Sequence, residues 1–97
     1  MNRESPVIND IRDRRKVLIV ADELPDAPMV LDDVRCVLFD NTPFCRMVFD
    51  NGSILMVTTA DQLRAGIDLT DKVDCAYVTD EAGLSKEEKE NLMRAIE

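Results

Sequence analysis

Apolar and polar positions alternate along this chain in blocks that mark out its elements. Residues 16 to 21, KVLIVA, form an unbroken aliphatic run of the kind found in a strand covered on both faces. ADELPDAPMVLDD follows with two prolines and five acids, which predicts a surface loop. VRCVLFD, residues 34 to 40, predicts a second strand. FCRMVFDNGSILMVTT then sets two apolar runs on either side of Asn51-Gly52, the pair that tolerates the positive φ angles of a type I′ turn. The expected element is a hairpin over residues 44 to 58. A two-residue loop would set Phe49 opposite Ile54, Met47 opposite Met56 and Cys45 opposite Thr58. Both faces of that hairpin are largely apolar, so each must meet a helix, another sheet or a partner chain. Self-association is one expected way to cover the second face.

The remaining apolar runs are shorter. TADQLRAG predicts a short helix near residues 60 to 66, with Thr59 or Asp61 as its cap and Gly66 as its end. IDLTDKVD reads as a polar connection, and CAYVTD as the last strand. Ser85 and Glu88 form an S-x-x-E capping box ahead of a C-terminal helix over residues 86 to 96. Its expected apolar stripe is Leu92, Met93 and Ile96, with Glu90 and Arg94 as an i,i+4 pair. The class is therefore α+β: a small, mainly antiparallel sheet of about five strands with two helices. Residues 1 to 14 are a polar, partly flexible segment in which VINDIRDRRK holds one or two helical turns with few apolar anchors. Residues 15 to 97 are a single domain, the expectation at this length.

Composition narrows the chemistry. There is no His in the 97 residues, and the three Cys (Cys36, Cys45, Cys75) lie in apolar runs without C-x-x-C spacing. Buried reduced thiols are expected, and neither a zinc site nor an imidazole-dependent triad can be built. No cofactor and no metal ligand set is predicted, and the chain is read as non-catalytic. No run approaches the roughly 20 apolar residues of a membrane span, and the start lacks a secretory core, so a cytoplasmic protein away from membranes is expected. The net charge of −8 is uneven. Residues 17 to 84 carry four basic groups against thirteen acids, which would repel a phosphate backbone, so nucleic-acid binding is not expected.

Three apolar runs end in acid, at Asp22-Glu23, Asp40 and Asp80-Glu81. Carboxylates gathered at neighbouring strand ends could hold Mg²⁺, although Asp is also the ordinary residue at which a strand gives way to a turn. KVLIVADEL resembles the first strand of response-regulator receiver domains, but Ala21 replaces the first residue of their acidic pair. VLFDNTP resembles the first motif of haloacid-dehalogenase-type phosphatases, but Thr42 stands where their second Asp is required. Both folds also need a longer chain.

A longer stretch, FDNGSILMVTTADQLRAG followed by AYVTDEAG, resembles the region leading into the Walker B strand of phage terminase large subunits and related helicase-type ATPases. The resemblance spans residues 48 to 83. It implies that Asp80 matches the Mg²⁺-holding acid and Glu81 the water-activating one. Arg64 would match the arginine before glycine, with Ala65 inserted. The departure is the phosphate loop: no G-x-x-x-x-G-K-[ST] occurs, so Asp80 and Glu81 lack the cradle on which such catalysis depends.

The function expected from these features is that of a small acidic interaction module, of phage or mobile-element type, binding a protein partner with a basic surface. Asp22, Glu23, Asp26, Asp32 and Asp33 are the expected partner-binding residues, steering the encounter by charge. The alternative is a small-ligand or nucleotide-binding module built on Arg64, Asp80 and Glu81. A second alternative is mimicry of nucleic acid by the acidic surface.

Overall fold

In a computed structural model, residues 6–41, 43–66, 69 and 73–96 are described. The first five residues of the expected flexible start, and most of the IDLTDKVD connection, lie outside them. Five strands form one sheet: β1 (Lys16–Ala21), β2 (Cys36–Asp40), β3 (Cys45–Phe49), β4 (Ile54–Thr59) and β5 (Cys75–Val78). The helices are α1 (Pro6–Arg12), α2 (Ala60–Arg64) and α3 (Lys86–Ile96), with a 3₁₀ turn at Asp80–Ala82. The fold is α+β.

The strand order is β2-β3-β4-β1-β5, and the sheet is mixed. β3 pairs antiparallel with β2 and β4, while β1 pairs parallel with β4 and β5. Strands β1 and β2, and likewise β4 and β5, are consecutive in the chain and run the same way without being neighbours in the sheet, so each pair needs a crossover of about a dozen residues or more. The 22–35 and 60–74 connections supply them, so those polar stretches are the means by which the chain returns to the same end of the sheet.

The hairpin forms, but one residue out of the expected register. Cys45 faces Val57, Met47 faces Leu55 and Val48 faces Ile54. The Phe49 N–H donates to the Ser53 carbonyl at 2.9 Å and the Gly52 N–H donates to the Phe49 carbonyl at 3.0 Å. The loop is thus three residues, Asp50-Asn51-Gly52, with only Gly52 at positive φ (93°). That is a type I turn closed by a glycine bulge, not a type I′ turn. Asn51 stays at negative φ because its side chain is engaged: Nδ2 donates to the Ile11 carbonyl at 2.7 Å, and Oδ1 accepts from the Ser53 N–H at 2.9 Å.

The shift decides which side chains share a face. Cys45, Met47 and Phe49 join Leu55, Val57 and Val17 in one core layer. Met56 joins Leu18, Val20 and Ala76 in the other. The first layer is covered by Val7 and Ile11 of α1 and by Leu24, Met29, Leu31 and Val34 of the 22–35 loop. The second is covered by Leu63 of α2, by Leu69 and Val73, and by Ala82, Leu92 and Ile96.

Four sequence expectations change here. The N-terminal helix is firmly anchored, since Ile11 is fully buried and Val7 nearly so. Leu69 and Val73, in a stretch read as polar connection, are core residues. On α3 Leu92 is buried and Ile96, four residues on, is half-buried beside it, while Met93 turns outward with 38% exposure. The Glu90–Arg94 pair does not close.

Among the described residues no helix is long and apolar enough to cross a membrane. Cys36, Cys45 and Cys75 are free thiols. Burial is the main cause that raises the Cys45 and Cys75 thiols to about 11, so both are protonated and unreactive near neutral pH.

Candidate functional site

Four strands, β1, β2, β4 and β5, run in one direction, so their carboxyl ends lie along one margin of the sheet. The connection from β1 crosses the α1 face, and the connection from β4 enters α2 on the opposite face. Adjacent parallel strands whose connections leave to opposite sides open a crevice between their carboxyl ends, where ligands bind in open sheets of this kind.

A cavity of about 520 Å³ occupies that position on the α1 face. Ile19 and Ala21 of β1, Leu55 and Val57 of β4 and Met47 of β3 form its floor. Leu24, Pro25, Ala27 and Met29 of the 22–35 loop form its wall, and Glu23 and Asp26 stand at its mouth. The volume falls in the range of small-molecule sites, about 300–1,000 Å³. The lining is almost wholly apolar, and its polar groups are acids.

The loop is held over the cavity at separate points. Asn41 Nδ2 donates to the Pro25 carbonyl at 2.9 Å. The Met29 N–H donates to Met47 Sδ at 3.4 Å, within reach of a weak sulfur acceptor. Arg12 Nε reaches Asp33 Oδ1 at 3.1 Å, joining the loop to α1. The Arg35 N–H donates to Asp50 Oδ1 at 3.2 Å, and the Asp50 N–H returns a bond to the Arg35 carbonyl at 2.8 Å. The cavity keeps its shape because the loop is fixed between these anchors while Glu23, Asp26 and Ala27 remain exposed.

The five acids expected to meet a partner therefore divide. Asp33 is neutralised by Arg12. Asp22, Glu23, Asp26 and Asp32 are exposed and, among the described residues, make no ion pair.

The second expected set does not converge on a ligand. Arg64 spends its guanidinium on α3 and the chain before it. Nε donates to Glu88 Oε2 at 3.0 Å, and one terminal nitrogen donates to Glu88 Oε1 at 2.9 Å and to the Gly83 carbonyl at 2.8 Å. Glu88 also closes the capping box, with both the Ser85 N–H to Glu88 Oε1 and the Glu88 N–H to Ser85 Oγ at 3.1 Å. Arg64 and then the Ser85 N–H hold the Glu88 carboxyl down at about 2. Asp80 and Glu81 are exposed on the 3₁₀ turn.

Among the described residues no group of three Cys, Asp or Glu side chains lies close enough to share a metal ion. Asp22 and Asp40 end strands that point the same way, but two strands separate β1 from β2. At about 4.8 Å per strand that is roughly 14 Å.

One buried polar group escaped the sequence reading. Asp10 on α1 is buried, accepts from the Tyr77 hydroxyl in a short bond and from Cys75 Sγ at 3.5 Å, and lies 3.5 Å from an Arg15 terminal nitrogen. That hydrogen bond, then burial, pushes Tyr77 up to about 12. The cluster locks α1 onto β5. The cavity residues were missed for another reason: they look like core, and only Leu24, Met29 and Leu31 set among acids signal a loop that folds back onto the sheet. Comparison with family models, with curated proteins and with solved structures finds no match for the chain.

Proposed function

We propose that this chain is a small acidic interaction module whose 22–32 loop engages a protein partner with a basic surface. The observation that carries the reading is the set of four exposed, unneutralised carboxylates, Asp22, Glu23, Asp26 and Asp32, on a loop anchored at several points. Unpaired like charges on one segment repel each other when the chain is alone, and a cationic partner relieves that repulsion. The nucleotide alternative has less support, because Arg64 is bound to Glu88 and a phosphate at the cavity mouth would face Glu23 and Asp26. A cytoplasmic setting belongs to the same reading and is supported by the three free thiols.

Capture of partners from the source cell at increasing salt tests it. Screening shortens from about 10 Å at 0.1 M to about 3 Å at 1 M, so a basic protein retained at low salt is expected to elute as salt rises. A variant carrying Asp22→Asn, Glu23→Gln, Asp26→Asn and Asp32→Asn is expected to lose that protein. Equal retention by both forms at both salts would remove the loop from the interaction.

A further inference from the structure

We infer that the cavity beneath the loop is the socket for one large apolar side chain of the partner, an aromatic or aliphatic residue flanked in its own sequence by Lys or Arg. The inference rests on the interaction reading above and names the feature such a partner must carry. Two observations select this occupant. The floor of Ile19, Met47, Leu55 and Val57 offers an inserted group nothing but apolar surface, so affinity comes from burying carbon, at about 25 cal/mol per Å². The polar groups at the mouth are the unpaired acids Glu23 and Asp26, so an anionic ligand such as a fatty acid or nucleotide would be repelled as it entered.

The charge also extends past the mouth. Asp22 precedes the cavity wall, and Asp32 lies beyond the point where Met29 is tied to Met47. A small ammonium compound would satisfy one of these positions. A peptide segment with cations on both sides of its apolar residue satisfies several at once, with a buried anchor at the centre and a charged rim, as in protein interfaces generally. Ala27, exposed on the wall, leaves room for the side chain to enter.

Three blocked five-residue peptides test this by methyl and amide NMR at low salt: Lys-Lys-Phe-Lys-Lys, Lys-Lys-Ser-Lys-Lys and Glu-Glu-Phe-Glu-Glu. The first is expected to shift the methyl signals of Ile19, Met47, Leu55 and Val57 and to bind at least about tenfold more tightly than the serine peptide, a difference of about 1.4 kcal/mol. The serine peptide is expected to move only amides of residues 22 to 32, and the acidic peptide to move neither set. Ala27→Phe, which fills the wall from an exposed position, is expected to abolish the phenylalanine advantage, so that the phenylalanine and serine peptides bind alike.

Equal binding of the phenylalanine and serine peptides with silent cavity methyls would overturn the socket and leave the acidic-loop reading standing. Equal binding of the acidic peptide would overturn the cation requirement and with it the inference. Absence of any shift in the loop with either basic peptide would count against both.

Discussion

Arg14 is the one non-glycine residue at positive φ (64°) among the described residues, and its position explains why. The Arg15 N–H donates to the Asp10 carbonyl at 3.0 Å and the Arg14 N–H to the Ile11 carbonyl at 3.1 Å, the bond pair of a Schellman motif closing α1. The C′ position of that motif favours glycine, because a Cβ in the left-handed region costs about 1–2 kcal/mol. Arg14→Gly is therefore expected to raise stability by up to about 1 kcal/mol, less than the relieved strain because glycine also frees the unfolded chain. Urea unfolding of both forms measures it, and a lower midpoint in the variant would count against the assignment.

Tyr77 is the only tyrosine, and the chain has no tryptophan, so its ionisation can be followed by absorbance without interference. A midpoint near 12 is expected in the folded protein, against about 10 after unfolding. Because the folded-state value is the higher one, the stabilisation is complete below pH 10 and is lost as pH rises toward 12. Tyr77→Phe leaves the buried Asp10 with one donor fewer and is expected to cost about 1–3 kcal/mol.

At the level of elements, Asn51 separates two accounts of the hairpin. In a type I′ turn its role would be to tolerate positive φ, and glycine would serve there equally well. In the observed loop its side chain joins the hairpin to the end of α1 through the Ile11 carbonyl and braces Ser53. Asn51→Gly is therefore expected to lower stability by about 1–2 kcal/mol, measured by thermal unfolding. A neutral result would favour the two-residue turn.

The same pair shows how far the sequence could be read. Asn51-Gly52 announces a hairpin whichever turn is used, but the choice between a two- and a three-residue loop depends on a contact with Ile11, forty residues earlier. α1 was underestimated for a similar reason, since Val7, Asp10 and Ile11 gain their partners from β5 and the sheet and not from each other. The Ser85–Glu88 box, by contrast, is entirely local and was legible as it stands. The box carries a pH dependence. Glu88 falls from the usual 4.5 to about 2 in the folded state, so its stabilisation is present above pH 4.5 and is lost as pH drops toward 2. Glu88→Gln should flatten the acid limb of a stability curve over that window, and an unchanged limb would mean that Arg64 does not hold Glu88 in solution.

For the whole molecule, the apolar character of both hairpin faces raised the question of what covers the second one. The chain answers it largely from within: α1 and the 22–35 loop cover one face, while α2, α3, Leu69 and Val73 cover the other. Among the described residues, the apolar surface that stays exposed is small and scattered. Val37, the extra residue of a bulge in edge strand β2, is exposed beside Leu38, with Val30 on the loop and Met93 on α3. A bulge disrupts pairing of a second sheet on β2, one of the two edge strands. A single copy is therefore expected to be enough for folding. An obligate dimer would share its core between chains, and its unfolding midpoint would rise with concentration by mass action. Here the midpoint is expected to stay constant over about a hundredfold range of concentration, with light scattering giving the mass of one chain. A midpoint that climbed with concentration would mean that a sheet edge, either β2 in spite of its bulge or β5, is an interface on which the fold depends.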